Sequence, residues 1–363
     1  MPPEILNNGT LTNASSGFFS NDSNIVNAIG GSVVNYGNLF LVSDGSLKST
    51  GTISNSGVLL NDGLLLNNAG GLIVNTGMLT NAGNFTNEGM IMNSFGATLD
   101  TVFFINAGVL NNAGTMNNDS SPGVNGFFTN SGVLNNSGTF TNPGTFTNSG
   151  VVVISSAGLF TTSTNYKQTA GKTLVNGTFT ATDGAIVDIQ GGILGGTGTI
   201  NSDVLLNGIL SPGSGGVPGT LTINGNYEQG STGIFEELIS GASSNGVLDV
   251  SGILTLDPGS LLEITLQGGF DPLGDSFTIM NYGSLLGEFS NAPLFFADGF
   301  EWTVTYGAND AVLTAVEAPE PGTMFLLSLG FLTLLFGYAA KRREQPQDDQ
   351  RHSGYPSWDS SGF

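Results

Sequence analysis

Apolar and polar positions recur with a six-residue period between about residues 50 and 155. The unit reads Asn-x-Gly-x-apolar-x, and its asparagines form runs spaced six apart: Asn75, Asn81, Asn87 and Asn93; Asn106, Asn112 and Asn118; Asn130, Asn136, Asn142 and Asn148. The fourth position after the asparagine is apolar, as at Leu79, Phe85, Ile91, Leu110, Met116, Leu134, Phe140, Phe146 and Val152. Because six is even, an extended chain presents the same face in every unit, whereas a helix would not.

Each unit therefore predicts a short strand that ends in a turn, since Asn, Gly and Thr are poor helix formers. Asn and Gly also tolerate the left-handed backbone of tight corners. Stacked units predict an all-β fold, a parallel β-solenoid with apolar side chains inside and corner asparagines in hydrogen-bonded ladders. Three units of six residues would make a coil of 18. The handedness and the cross-section, triangular or flattened, stay open.

The period is interrupted once between two of the runs. Asn93 and Asn106 stand 13 residues apart, one more than two units. We therefore expect a one-residue bulge or a small loop between Ser94 and Ile105.

The solenoid domain is predicted to cover residues 1–230, with a looser, glycine-punctuated rhythm over 156–230. From residue 231 acidic residues become denser, and strands such as Leu261–Leu266 and Trp302–Tyr306 alternate apolar and polar positions. We interpret residues 231–317 as a β-rich capping module that covers the open end of the solenoid, where strand edges would otherwise be unpaired.

Part of this region resembles a known family. The segments Gly192–Asn201, Leu210–Gly213 and Pro218–Tyr227 resemble the passenger domains of autotransporter adhesins, and the resemblance spans roughly 185–315. It implies a right-handed β-helix and an adhesive role.

Residues 323–340 form an uninterrupted apolar run of 18 residues, followed by Lys341, Arg342 and Arg343. A helix of that length covers about 27 Å, enough for the hydrocarbon core of a bilayer. Because the basic residues lie at one end only, they act as a stop-transfer signal, and the positive-inside rule places residues 1–320 outside the cytoplasm. The alternative is a buried core helix, which would rarely be apolar on every face.

The segment 318–343 resembles the PEP-CTERM sorting signal of Gram-negative bacteria. The resemblance rests on Val316–Thr323, on the apolar run and on the basic triplet. It implies that Pro319, Glu320 and Pro321 are recognised by an exosortase, a membrane protease-transferase, and that the helix is removed. Such signals usually end within a few residues of the basic cluster. This chain departs from that pattern, because a polar tail continues over residues 344–363.

The amino-acid composition limits which partners the protein can bind and in which cellular compartment it can work. The chain has no cysteine and a formal charge of −21, and only three of its seven Lys and Arg residues precede the apolar run. Nucleic-acid binding needs a dense basic surface, so it is excluded as a function. A secretion signal is not recognisable in Met1–Thr10, and we interpret the start as truncated or misplaced.

Catalytic and metal-binding chemistry has little support. The single histidine, His352, lies in the tail, so neither a Ser-His-Asp triad nor a histidine metal site can form in the exported part. We expect no enzyme activity and no cofactor. Calcium binding by acidic residues is a secondary hypothesis, and its candidate ligands are Asp249, Asp257, Asp271 and Asp275.

The sequence thus predicts an exported structural or adhesive protein, an exosortase substrate that first sits in the inner membrane through residues 323–340. It would then reach the cell surface or the extracellular matrix and contact polysaccharide there. One alternative is a β-helix polysaccharide lyase or hydrolase, which requires converging acids beside Lys167 or Lys172. Another is a single-pass membrane protein that is never cut.

Overall fold

The computed structural model describes residues 4–118 and 126–317, and the part up to Glu317 forms one compact unit. Every regular element in these residues is a β-strand. None of them is a helix long and apolar enough to cross a membrane. The predicted sorting signal at 318–343, its helix 323–340 and the tail 344–363 lie outside the described residues.

Each coil of the chain contributes one strand to each of three faces, and each strand pairs in parallel with the equivalent strand of the next coil. Phe127 pairs with Thr145, one coil and 18 residues later. Other coils are longer because their corners are longer: Leu64 pairs with Asn84, and Asn24 pairs with Ser46. The predicted parallel β-solenoid is therefore confirmed, with the expected three strands in each coil.

The strands are short, and most have four residues with the second and fourth side chains turned inward. The first face contains Glu4–Asn7, Asn24–Asn27, Ser46–Ser49, Leu64–Asn67, Phe127–Asn130, Thr145–Asn148, Tyr166–Gln168, Val187–Ile189, Val204–Leu206 and Tyr227–Gln229. The second face contains Thr10–Asn13, Ser32–Asn35, Thr52–Asn55, Leu72–Asn75, Met90–Asn93, Val109–Asn112, Val133–Asn136, Val151–Ile154, Lys172–Val175, Ile193–Gly196, Ile209–Ser214, Ile234–Gly241 and Leu261–Leu266. The third face contains Phe18–Asn21, Asn38–Leu41, Val58–Asn61, Thr115–Asn118, Thr139–Asn142, Leu159–Thr162, Thr178–Ala181, Thr199–Asn201 and Thr220–Ile223.

Some strands turn the corner from the third face to the first without a break: Met78–Asn87, Thr98–Asn106, Val247–Leu256 and Ser276–Gly287. Parallel pairing thus continues past residue 230 as far as Ser276–Gly287. Antiparallel strands Leu294–Ala297, Phe300–Tyr306 and Asp310–Glu317 then pair with one another and with Ser276–Gly287. Two short strands, Val217–Pro218 and Ser244–Asn245, form hairpins on the second face.

The interior is filled by the apolar position of the six-residue unit. Phe85, Phe104, Phe128, Phe146 and Tyr166 stack along the first face, with successive ring centroids 4.7–5.2 Å apart. All five side chains are fully or almost fully buried. Burial of this repeated apolar row is the main stabilising contribution of each coil.

The corner asparagines form the predicted ladders, and their side chains are buried. On the second face the side-chain amide of Asn35 donates one hydrogen bond to Asn55 Oδ1 (2.7 Å) and another to the Val58 carbonyl (2.9 Å). The ladder runs, with spacings of 2.7 or 2.8 Å, through Asn13, Asn35, Asn55, Asn75, Asn93, Asn112 and Asn136. On the second face each amide therefore hydrogen-bonds to a neighbour, which offsets the cost of burying it.

The repeated corner glycines are needed for a different reason from the one expected. Among the regular units over residues 50–118 and 126–155, left-handed backbone occurs at the longer corners, at Gly70 (φ 84°) and Gly96 (φ 79°). At the ordinary corners, such as Gly57 and Gly77, φ is not positive, but a Cβ on Gly77 would collide with the Gly57 carbonyl oxygen of the previous coil. Close stacking of the coils therefore selects glycine at the ordinary corners.

The irregularity expected between Ser94 and Ile105 is confirmed. The corner after Asn93 has four residues, Ser94–Ala97, where an ordinary corner has two, and the next corner has only Val102. Two residues are gained and one is lost, so the net excess is the single residue that displaces the asparagine spacing.

Candidate functional surfaces

In the four-residue strands the first and third side chains point outward, and in three-residue strands of the first face such as Tyr166–Gln168 only the middle one does. The faces therefore carry rows of solvent-facing residues. Rows are aligned because consecutive coils are in register. The chemistry of these rows differs from face to face, and it determines what each face could bind.

The third face presents hydroxyl and amide groups. Its outward rows from Thr98 to Asn224 contain Thr98, Thr115, Thr139, Leu159, Thr178, Thr199 and Thr222, and beside them Asp100, Asn117, Thr141, Thr161, Thr180, Asn201 and Asn224. Neighbouring rungs are linked by side-chain hydrogen bonds, as from Asn201 to Thr180 (3.1 Å) and from Asn224 to Asn201 (2.8 Å). Asp100 is the single charge in these rows. The surface can therefore donate and accept hydrogen bonds over many rungs without attracting or repelling ions.

The second face presents an aliphatic row. Its first outward row reads Leu72, Met90, Val109, Val133, Val151, Lys172, Ile193 and Ile209. The row beside it adds Val74, Met92, Val153 and Leu174. We call these two rows, from Leu72 to Ile209, the aliphatic stripe. The six-residue pattern does not reveal the stripe, because the stripe depends on which units stack on the same face.

The first face is mixed. Leu64, Phe103 and Phe127 line an apolar groove of about 360 Å³, and Asn84 lies between them. A second groove, of about 370 Å³, is lined by Leu205, Ile253 and Leu286 together with the acids Asp203 and Glu228. Asp203 accepts the Asn226 backbone N–H at 2.7 Å, so this carboxylate also holds a corner together.

The two lysines named for a catalytic groove lie on different faces. Lys167 is in register with Asp188 on the first face, and the next residue in that row is Leu205. Lys172 lies on the second face between Val151 and Ile193. Lys167 therefore has one acid as its rung neighbour, and Lys172 has none.

The aspartates proposed as calcium ligands take part in local hydrogen bonds. Asp249 accepts from the Asn281 side chain, and Asp271 accepts the Leu273 N–H at 3.1 Å. The backbone carbonyl of Asp257 accepts the Ser260 N–H at 3.0 Å. Over residues 4–118 and 126–317, no three acidic, histidine or cysteine side chains come together in a way that could hold a metal ion.

One buried acid was not anticipated as a candidate. Glu237 is fully buried, and its Oε1 accepts the Gly246 N–H at 2.8 Å while Oε2 has no partner. Burial raises the pKa of this carboxyl well above its usual range, and the Gly246 N–H and the Asn245 side-chain amide oppose that shift only in part. The sequence could have indicated that Glu236 and Glu237 diverge, but not that Glu237 points into the dry interior.

The sorting-signal residues Pro319, Glu320 and Pro321 and the stop-transfer residues Lys341, Arg342 and Arg343 lie outside the described residues. Residues 317–343 match the family model of the PEP-CTERM protein-sorting motif. The motif implies export and membrane-anchored transit, and it suggests processing by an exosortase-type enzyme. No curated protein matches the chain. The resemblance of residues 185–315 to autotransporter passenger domains stays a prediction.

Proposed function

We propose that the protein is a structural or adhesive element of the cell surface or extracellular matrix, and that its third face binds neutral polysaccharide. The observation that carries the proposal is the pair of hydroxyl and amide rows from Thr98 to Asn224. Sugar hydroxyls are donors and acceptors without charge, and these rows offer matching groups.

The charge of the protein supports a neutral rather than an anionic ligand. The chain has a formal charge of −21, so an anionic polysaccharide would be repelled unless cations bridged the two. The third face carries only Asp100 in these rows. A neutral chain can therefore lie along it without an electrostatic penalty.

The length of the surface supports avidity instead of one tight site. At about 4.8 Å for each rung, the rows extend for about 29 Å, which is the length of several sugar units. Each hydrogen bond to a hydroxyl replaces one to water and contributes little by itself. Many such contacts on one flexible ligand add through effective concentration.

Affinity electrophoresis of the detergent-solubilised full chain through gels containing neutral glucan tests this proposal. We expect retardation, and we expect the triple variant Thr141→Val/Thr161→Val/Thr180→Val to lose most of it because the hydroxyls are removed at nearly constant shape. The matched control is Thr86→Val/Thr129→Val/Thr147→Val on the first face, which should migrate like the original protein. Equal retardation of both variants would show that the third face is not the binding surface.

The second part of the proposal is that the anchor is removed by an exosortase-type enzyme that recognises Pro319, Glu320 and Pro321. Mass spectrometry of the surface-located form should find a C-terminus near Pro321, and Glu320→Ala should keep the chain in the membrane. A mature surface form that still contains Lys341, Arg342 and Arg343 would instead support a single-pass protein that is never cut.

A further inference from the structure

The aliphatic stripe on the second face is a surface without a partner in the described structure. Its first row is apolar at every rung from Leu72 to Ile209 except Lys172. Met90 and Met92 are 40% and 43% exposed, and the valines between them and Ile193 are half-buried by their rung neighbours. A contiguous apolar surface of this length on a protein in water marks an interaction site.

We propose that the stripe pairs with the same stripe of a second copy of this chain, so that two solenoids associate through their second faces. Isologous contact of one surface with itself is the commonest way in which identical chains associate. Packed sheets lie about 10 Å apart with interdigitated side chains. Two identical stripes have the same rung spacing, so their ridges and grooves match along the whole length.

Charge favours a second copy at this face over the other faces. The protein is strongly acidic, and two copies repel each other wherever acids meet. The strands that carry the stripe contain no Asp or Glu, and their only charge is Lys172. The first face, by contrast, exposes Asp203 and Glu228.

The chemistry of the stripe also argues against a sugar ligand. Valine, leucine, isoleucine and methionine side chains offer no hydrogen bonds, and the amides within the stripe are those of Asn111 and Asn135. These two already bond to each other at 2.8 Å. A polar chain bound here would lose water without a replacement, which costs free energy.

The size of the stripe predicts a weak dimer. Seven rung intervals extend for about 34 Å and a strand spans about 13 Å, so each copy would bury roughly 450 Å² and the pair roughly 900 Å². Specific interfaces usually bury about 1,200–2,000 Å² in total, and smaller ones are transient. The dimer should therefore form as the protein becomes concentrated, as it is on a membrane or in a matrix.

The absence of cysteine allows a direct test with single-cysteine variants of the full chain in detergent. Val133→Cys lies at the middle of the stripe, and Thr161→Cys lies at the middle of the third face. With a bis-maleimide that spans about 10 Å, we expect a cross-linked dimer from Val133→Cys and none from Thr161→Cys. Association through the membrane segment would cross-link both variants equally.

Charged substitutions supply an independent measurement by sedimentation velocity. Val109→Lys/Val151→Lys should raise the dissociation constant of the dimer at least tenfold, because each copy would bring two further lysine amines, besides that of Lys172, into the apolar contact. The control Thr115→Lys/Thr178→Lys adds the same charge to the third face and should leave the constant unchanged.

Three results would overturn the proposal. The first is equal cross-linking from both cysteine positions. The second is no cross-linked dimer from Val133→Cys up to about 100 µM protein, a concentration above the dissociation constant of a micromolar complex. The third is loss of the Val133→Cys cross-link when phosphatidylcholine vesicles are added, which would assign the stripe to a lipid surface. None of these depends on whether the third face binds glucan.

Discussion

The same corner column of the solenoid buries polar groups in two different ways. At the end of the second-face strands, coils from Asn13 to Asn136 place an amide in the column, and each amide hydrogen-bonds to the next. Beyond them the column holds Ile154 and Val175. Leu210 pairs with Phe235. If this pairing is extended by two residues, Glu237 occupies the same corner position and is the carboxyl of the column.

The difference between the ladder and Glu237 lies in how many partners each group finds. An amide has both donors and acceptors, so a column of amides can satisfy itself indefinitely. A carboxylate only accepts, and Glu237 Oε2 finds no donor among the described residues. A column of amides is uncharged and can be buried because its members bond to one another. For a single buried carboxyl, burial favours the protonated form.

Breaking the ladder in its middle should have the largest effect. Asn75→Leu keeps the volume but removes the donors to Asn93 Oδ1 and the Thr98 carbonyl. It also removes one of the two acceptors of the Asn55 amide, which keeps only the Met78 carbonyl. We expect the free energy of unfolding to fall by about 3–5 kcal/mol, since each buried unpaired group costs about 1–3 kcal/mol. Urea denaturation followed by circular dichroism measures the change.

A change in the apolar part of the same column provides the control for Asn75→Leu. Ile154→Val removes one methylene and should cost about 0.5–1.5 kcal/mol. If Asn75→Leu cost no more than that, the ladder would contribute only packing, and its hydrogen bonds would be energetically equivalent to those with water.

Glu237→Gln tests the other end of the column through pH. Because the folded-state pKa of Glu237 is raised, the carboxyl stabilises the fold fully below its unfolded pKa near 4.5, and this contribution is lost as pH rises through the folded pKa. Glutamine keeps an acceptor for the Gly246 N–H but does not titrate. We expect Glu237→Gln to be more stable by about 1–3 kcal/mol above neutral pH, and the advantage to shrink as pH falls towards 4.5.

The outward neighbour is a matched control for this pH dependence. Glu236→Gln removes one carboxyl from the half-exposed side of the same strand, in register with Glu263, so it measures the effect of removing a surface charge at this rung. A Glu237→Gln variant with an unchanged pH profile would mean that the interior carboxyl reaches water.

The six-residue period was enough to predict the ladder but not the solitary acid. The phase of Asn75 and Leu79 identifies the corner and the interior in every regular unit, so strand length, parallel stacking and ladders all follow. Near Glu237 the six-residue spacing of the asparagines is lost and the corners vary in length. The sequence there does not show which positions face the interior. Extending the pairing of Leu210 with Phe235 by two residues places Glu237 in the column, in register with Ile264 of the next coil.

The outward surfaces were less predictable than the interior, because the repeat pattern does not determine which units align from coil to coil. A threonine such as Thr141 is recognisable as outward from its own unit, so the polar character of that position can be predicted. The aliphatic stripe depends on which units stack in the same face, and the number of residues per coil changes from 18 between Phe127 and Thr145 to 22 between Asn24 and Ser46. That count is set by corner length, which the repeat pattern does not encode.

The asparagine column at the end of the first-face strands is interrupted by one serine, Ser49, and substituting this residue should have the smallest effect. Ser49 accepts from the Asn27 amide at 3.0 Å and donates to the Gly51 carbonyl, so Asn67 Oδ1 receives no hydrogen bond. Ser49→Asn should complete the ladder from Asn27 to Asn67, because the coils at either side already hold asparagine in this column. We expect a gain of about 1 kcal/mol, the usual net contribution of one buried hydrogen bond.

Ser49→Ala separates this gain from simple filling of space. Alanine cannot accept from Asn27, so it should lower the free energy of unfolding by about 1 kcal/mol. Hydrogen exchange of the Leu64–Asn67 strand amides reports the same change locally, since stability in a solenoid is transmitted mainly to neighbouring coils. Slower exchange in Ser49→Asn, together with faster exchange in Ser49→Ala, would establish that the orphan oxygen of Asn67 weakens this coil. Slower exchange in both variants would indicate that the hydroxyl, and not the missing amide, is the unfavourable group.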